Sequence, residues 1–230
     1  MKLHDKSSRR ELSNDDFAAY LLMQSTHTHR YLLQQRTPII TIDWITEQDH
    51  DDRVVATEIL YTPWGNLHLD YTQYGIRNAY FTSESLKSDQ SDNEIVSQFS
   101  AIWGGHHEWL KSDEFWQGKL SLRVKLHVRG TLFQRSVWNT LAQIPYGGVL
   151  SYGDLAVLMQ QPRSVRAVAS AVARNPVAWF VPCHRIVRRN GEVGQYRWST
   201  DRKEAMLRYE KAMMEQTHGE DGVQTVERKD

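Results

Sequence analysis

Residues 179–187 read Trp-Phe-Val-Pro-Cys-His-Arg-Ile-Val, and this stretch constrains the fold more than any other. Trp179-Phe180-Val181 is a continuous apolar run of the kind that fills a buried strand, and Pro182 ends it by removing a ladder donor. Cys183 is therefore expected where a core strand emerges. It is the only cysteine in 230 residues, which excludes an intramolecular disulfide and a multi-thiolate zinc site. What remains is a nucleophile or a small buried hydrophobe. The neighbours favour the nucleophile. His184 is the usual partner for turning a thiol into a thiolate, and Arg185, Arg188 and Arg189 add positive charge that stabilises a sulfur anion.

A hydrophobic content of 40% with 8 Trp and 10 Tyr allows a sizeable core in one domain or two. No segment has the pattern of an export signal or the length of a membrane span, so a cytoplasmic protein is expected, and a lone thiol agrees with a reducing compartment. The net charge of zero conceals a division. Residues 1–120 carry 11 Lys+Arg against 18 Asp+Glu, residues 121–210 carry 14 against 5, and the last twenty carry 3 against 5. The central block, with 12 arginines, is either a polyanion-binding face or solvated surface.

Ser13-Asn14-Asp15-Asp16 is a plausible helix start before Phe17 to Met23. His27 and His29 lack the cysteine or carboxylate spacing of a metal site and read as surface residues. From Val54 the period changes to two. Val54 to Tyr61, Leu67 to Tyr71 and Ile76 to Phe81 read as an antiparallel meander. A polar loop, Ser83 to Asn93, precedes a helix-like segment from Glu94 to Leu110. A strand from Leu120 to Val128 leads into a domain boundary at Arg129-Gly130. Thr131 caps a helix with Phe133, Val137, Trp138, Leu141 and Ile144 on one face, stopped by Pro145-Tyr146-Gly147-Gly148. Ser151 caps Tyr152 to Met159, and after Gln160-Gln161-Pro162 a further helix runs from Arg163 to Arg174. Such a pair fits a helix-turn-helix and equally any helical hairpin packed through small residues.

Taken together, residues 130–210 resemble the C-terminal domain of the O6-alkylguanine-DNA alkyltransferases, and most closely the branch typified by the C-terminal half of the bacterial adaptive-response protein. The resemblance rests on Phe133-Gln134 with Val137-Trp138, Ile144-Pro145-Tyr146-Gly147, Ser151-Tyr152, Ser164-Val165-Arg166-Ala167-Val168, Asn175-Pro176, Val181-Pro182-Cys183-His184-Arg185, and Gly191 with Tyr196-Arg197-Trp198, Arg202-Lys203 and Glu210. The meander is similar to the family's smaller N-terminal domain, more loosely. The expected fold is α+β: a small N-terminal antiparallel sheet domain with a helix, then a mainly helical domain containing a helix-turn-helix. The expected domains are residues 51–128 and 129–212, flanked by an extension of unknown role (1–50) and a polar tail (213–230).

The resemblance implies direct-reversal repair of DNA, in which Cys183 takes the alkyl group from O6-alkylguanine, and from O4-alkylthymine, once per molecule and without a cofactor. It implies that His184 is the base acting through a water, that Glu210 orients the imidazole, that Asn175 ties the active-site turn, and that Tyr152 donates a proton toward the departing base. Arg166 would fill the gap left by a flipped-out nucleotide, and Arg163, Ser164, Ala167, Ala169 and Ser170 would lie against the minor groove. Ile186, Tyr196, Arg197, Trp198 and Ser199 would form the substrate pocket, with the carbonyls of Cys183 and Ile186 and the N–H of Arg197 reading the base edge. The partner is double-stranded DNA, and a monomer with no metal is expected.

Many relatives have small residues where this chain has Arg197-Trp198-Ser199, so the pocket should favour methyl over benzyl-sized groups. A four-cysteine zinc site for DNA phosphotriesters is excluded by the cysteine count. Two rival readings are a module that binds alkylated bases without transfer, against which Cys183 argues, and a cysteine hydrolase that uses Cys183, His184 and Glu210 repeatedly.

Overall fold

The computed structural model describes residues 13–33, 40–44, 52–82, 113–117 and 122–220. The helix expected at 94–110 lies outside the described residues. In chain order the elements are α1 (Asn14–Leu33), β1 (Ile40–Trp44), β2 (Ala56–Thr62), β3 (Gly65–Tyr71), β4 (Ile76–Phe81), α2 (Asp113–Trp116), β5 (Leu122–Leu126), α3 (Leu132–Ala142), β6 (Leu150–Ser151), α4 (Tyr152–Leu158), α5 (Val165–Ala173), β7 (Ile186–Val187) and α6 (Thr200–Glu220).

The meander forms as its alternation requires, β2 against β3 and β3 against β4, both antiparallel. The expectation of a purely antiparallel sheet needs correction. β5 joins β4 in parallel and β1 joins β5 in parallel, giving a five-stranded mixed sheet in the order β1-β5-β4-β3-β2. A period of two says which face a residue takes and nothing about the direction of the neighbouring strand. β1 comes from the first fifty residues, and its Trp44 indole donates to Asn139 Oδ1 on α3 at 3.2 Å.

One core spans the sheet and the helices behind it, from Leu67, Leu69 and Leu126 to Trp138, Leu141, Leu155 and Val168. Trp138 Nε1 donates to the Ala171 carbonyl at 2.9 Å and so pins α3 to α5. The helix starts obey their sequence signals. Thr131 with Gln134, and Ser151 with Asp154, each close a capping box at α3 and α4.

A second, smaller core holds α1 on this body. Phe17 and Leu21 pack with Val149, Val187 and Leu207. One stripe of α1 continues from these apolar residues into hydroxyls, Ser25 and Thr28, which are also buried. Thr28 Oγ1 accepts from Val149 N–H at 3.0 Å and Ser25 Oγ from Ser151 N–H at 3.2 Å, while Ser25 donates to Asp154 at 2.9 Å. The helix thus supplies a partner for Val149 N–H and a second one for Ser151 N–H, which also donates to Asp154. Gly191, at φ +85°, permits this contact, since a Cβ there would lie 2.2 Å from the Ala18 carbonyl oxygen.

Candidate active site

The expected core strand at 179–181 is replaced by overlapping turns that lead into a short 3-10 turn, Cys183–Arg185. Asn175 explains the difference. Its side chain accepts from Val177 N–H at 3.0 Å and donates to the carbonyls of Val181 at 2.8 Å and Val177 at 3.3 Å. The buried backbone finds its partners in one carboxamide, so no ladder is needed. Sheet and turn are joined too, because Ala79 N–H donates to Pro176 and Ala178 N–H donates back to Ala79.

The same carboxamide nitrogen of Asn175 lies 3.1 Å from Cys183 Sγ. Burial pushes the thiol above its ordinary range, and the Asn175 bond, the Lys203 charge and the Tyr196 hydroxyl pull it back in part. The charge expected from Arg188 and Arg189 is absent from this balance: both side chains are exposed, and Arg188 pairs with Glu192. Arg185 turns away from the sulfur to Glu210. The cation that acts on Cys183 is Lys203, 1% exposed, whose Nζ donates to the Ile186 carbonyl at 2.5 Å. Burial lowers this amine to about 8, with the Cys183 charge opposing.

His184 and Glu210 are both fully buried, and His184 Nε2 lies 3.0 Å from Glu210 Oε1. With Nε2–H donating to the carboxylate, Nδ1 becomes the basic nitrogen, and it has no hydrogen-bond partner among the protein atoms. Arg185 grips the same carboxylate through Nε at 3.0 and 3.2 Å and Nη2 at 2.9 Å, and Gly147 N–H donates to Oε2 at 2.9 Å. Burial pushes Glu210 up, but Arg185 and His184 outweigh it and hold the carboxyl at about 2. Burial lowers His184, with Glu210 opposing. At rest the site therefore holds a carboxylate, a neutral imidazole and a thiol.

Cys183 opens onto a cavity of about 740 Å³ lined also by Tyr152, Val172, Asn175 and the loop Gln195 to Thr200. Tyr152 is the first residue of α4, placed there by the Ser151 cap, and burial with the Cys183 charge raises its hydroxyl, which stays a donor. Tyr196, Arg197, Trp198 and Ser199 all line the cavity, whereas Ile186 stands behind it in β7 with its side chain fully buried. The carbonyls expected to read a base each already accept one bond, Cys183 from Ile186 N–H and Ile186 from Lys203; each retains a second lone pair. Trp198 is held edge-on by Tyr196 at 5.2 Å and Phe81 at 6.4 Å. Arg202 fastens this loop to the sheet by donating to the carbonyls of Trp198, Trp64 and Thr82.

On α5 the exposed residues are Val165, Arg166, Ala167, Ser170 and Ala173, with Arg174 exposed at the C-cap, Arg163 exposed just ahead, Ala169 half-buried, and Ser164 half-buried at the N-cap position without a capping bond. No group of metal-ligating side chains gathers among the described residues. His27 and His29 lie in α1, and their side chains are outside the described set. No described helix is long and apolar enough to cross a membrane.

A thiol in a cavity wall, followed in the chain by a histidine paired with a buried glutamate, beside an arginine-bearing helix, fits a cysteine alkyl acceptor and equally a cysteine hydrolase, and the relatives of the chain separate the two. The family model for the 6-O-methylguanine DNA methyltransferase DNA-binding domain matches residues 132–212. A methylated-DNA–protein-cysteine methyltransferase of Methanosarcina acetivorans is 41% identical over 158 residues, covering 66% of this chain and 96% of that protein. The bifunctional transcriptional activator/DNA repair enzyme Ada of Escherichia coli is 48% identical over 89 residues, which is 39% of this chain and 25% of Ada. Among solved structures, Mycobacterium tuberculosis OGT in complex with DNA aligns with TM-score 0.53 and 29% identity, covering 68% of this chain and 93% of that one. The chain belongs to the methylated-DNA–protein-cysteine methyltransferase family.

Proposed function

We propose that this chain repairs O6-methylguanine in duplex DNA by moving the methyl group to Cys183 once, irreversibly. The observation that carries the reading is the sulfur itself, bonded by Asn175 in the wall of a cavity that Tyr152 also lines and followed in sequence by His184, which pairs with Glu210. His184 Nδ1 takes the thiol proton through a bridging water, and Glu210 holds the ring and balances the imidazolium. The thiolate attacks the methyl carbon, the S–C bond forms as the C–O6 bond breaks, and the Tyr152 hydroxyl supplies a proton toward N3 of the departing guanine. A thioether does not hydrolyse, so free thiol does not return. O4-methylthymine offers the same alkyl carbon on oxygen and is a second substrate of this reading.

α4 and α5 act as a helix-turn-helix that lays α5 in the minor groove. The exposed small residues Ala167 and Ser170 allow close approach, Arg166 replaces the extruded nucleotide in the stack, and Arg163 with the other exposed arginines meets phosphates. The DNA-bound relative and the matched DNA-binding domain support DNA as the partner.

Mixing the protein with excess methylated duplex and weighing it tests the reading. One added methyl per chain is expected, none would mean binding without transfer, and continuous product would mean a hydrolase. Cys183→Ser should abolish the added mass and retain duplex binding.

A further inference from the structure

Trp179 is 2% exposed and stands at φ +69°, a left-handed conformation that a residue with a Cβ adopts only when its surroundings enforce it. Here they do. Asn175 fastens the backbone on both sides of it, Phe180 N–H donates to Ala178 at 2.8 Å, and Val181 N–H to Val177 at 3.1 Å. The consequence is the position of the indole. It lies parallel to the His184 imidazole, with planes 1° apart and centroids 5.4 Å apart. Trp64, from the β2–β3 turn, stacks on the same indole at 4.6 Å, and Trp116 leans on it at 5.2 Å. An aliphatic side chain would fill the space as well but would have no face to present.

We propose that Trp179 is a positioning residue for the transfer reaction: it holds the His184 ring in line with Glu210 and sets a π face against the positive charge the ring gains on taking the Cys183 proton. This rests on the repair reading given above. The imidazole is fully buried, so bulk water cannot solvate that charge, and an aromatic face within about 6 Å of a cation is attractive, most so for tryptophan and when desolvated. The other groups around the ring divide in sign. Glu210 from α6 favours the imidazolium, whereas Arg185 from the 3-10 turn and Lys203 from α6 oppose it. Cys183 becomes anionic as the ring becomes cationic, and Tyr146, which lies under Arg185, remains neutral. Two nearby cations offset the carboxylate and the new thiolate, and the indole is the group stacked on the ring.

The test is the single-turnover rate of methyl transfer from O6-methylguanine duplex as a function of pH, in the full chain. Trp179→Leu should slow transfer about tenfold at neutral pH, the size of a desolvated cation–π contact. Trp179→Phe should fall between, and the deficit should close at high pH, where the thiol ionises without the base. In a His184→Gln background the leucine substitution should change the rate less than twofold. Equal rates for leucine variant and wild type at every pH, or equal slowing in the His184→Gln background, overturn the proposal. Should the leucine variant not fold, biosynthetic 5-fluorotryptophan weakens the π face with little change of shape. It must then slow the wild type and spare Trp179→Phe; equal slowing of both overturns the proposal. A wild-type protein that transfers no methyl at any pH refutes the repair reading instead.

Discussion

Glu210→Gln separates the electrostatic role of this carboxylate from its place in the packing, because the amide is nearly isosteric and the residue is 1% exposed. Held at about 2 in the folded protein against an ordinary 4.5, the carboxylate stabilises the fold at neutral pH by about 3 kcal/mol. The folded value is the depressed one, so this stability is complete above pH 4.5 and is lost as the pH falls toward 2. The variant loses it at every pH and also leaves Arg185 buried without its counter-charge, for a total cost of roughly 3–5 kcal/mol at pH 7. Urea unfolding at pH 7, 5, 4 and 3, followed by both far-UV circular dichroism and tryptophan fluorescence, measures the difference. Wild type should lose stability more steeply than the variant below pH 4.5, so that the gap narrows. A gap that stays constant from pH 7 to pH 3 would refute the claim that Arg185 and His184 hold Glu210 ionised.

Trp198→Gly should raise the rate with O6-benzylguanine at least tenfold and leave methyl transfer within a few fold, because the indole lines the cavity; equal benzyl rates in the two proteins would show that Trp198 does not limit it. Arg166→Ala should slow repair in duplex DNA tenfold or more and leave reaction with the free base unchanged, as expected of an exposed residue that acts on the stack; an equal loss on both substrates counts against that role. Leu21→Ala should cost about 2–5 kcal/mol of stability in urea, since Leu21 is 1% exposed in the core that docks α1. A change below about 0.5 kcal/mol would mean that α1 does not dock as described.

The parts of the site that the sequence made legible were those close along the chain. Cys183 and His184 are adjacent, the Ser151 cap announced α4 and so placed Tyr152, and α5 was bounded by Pro162 and Asn175. Asn175 and Glu210 were reachable only through the family's spacing, because no local pattern says that a carboxamide eight residues upstream will meet a sulfur. Lys203 went unassigned although a signal existed. Lys203, Met206, Leu207 and Glu210 recur at spacings of three and four and are all buried, so a helical stripe mixing two charges with two apolar residues marks both charges as internal. The parallel placement of β5 and β1 and the docking of α1 are long-range outcomes. Phe17 and Leu21 showed an apolar face, and nothing local showed that Val149, Val187 and Leu207 would cover it. The strand expected at Trp179 failed because Asn175 supplied the backbone partners that a ladder would have provided.

Asn175, His184, Lys203 and Glu210 are each exposed by 1% or less, while the groups that would meet DNA and the departing base are exposed or half-buried. This division has a consequence for reading variants. In the buried set a substitution removes a catalytic partner and strands its neighbours together, so rate and stability fall in step and their effects do not add. Asn175 is the extreme case, holding Val177, Val181 and Cys183 with one side chain. In the accessible set, Arg166 and Trp198 can change rate or substrate range at little cost to the fold. On the single-transfer reading proposed above, the protein has no turnover to protect, and its thiol needs to be acidic only when a base is present. Burial raises the resting thiol, and Asn175, Lys203 and Tyr196 offset that rise only in part. On the same reading the sulfur is shielded from adventitious electrophiles until a methylated base fills the cavity and excludes the bulk water that screens those charges.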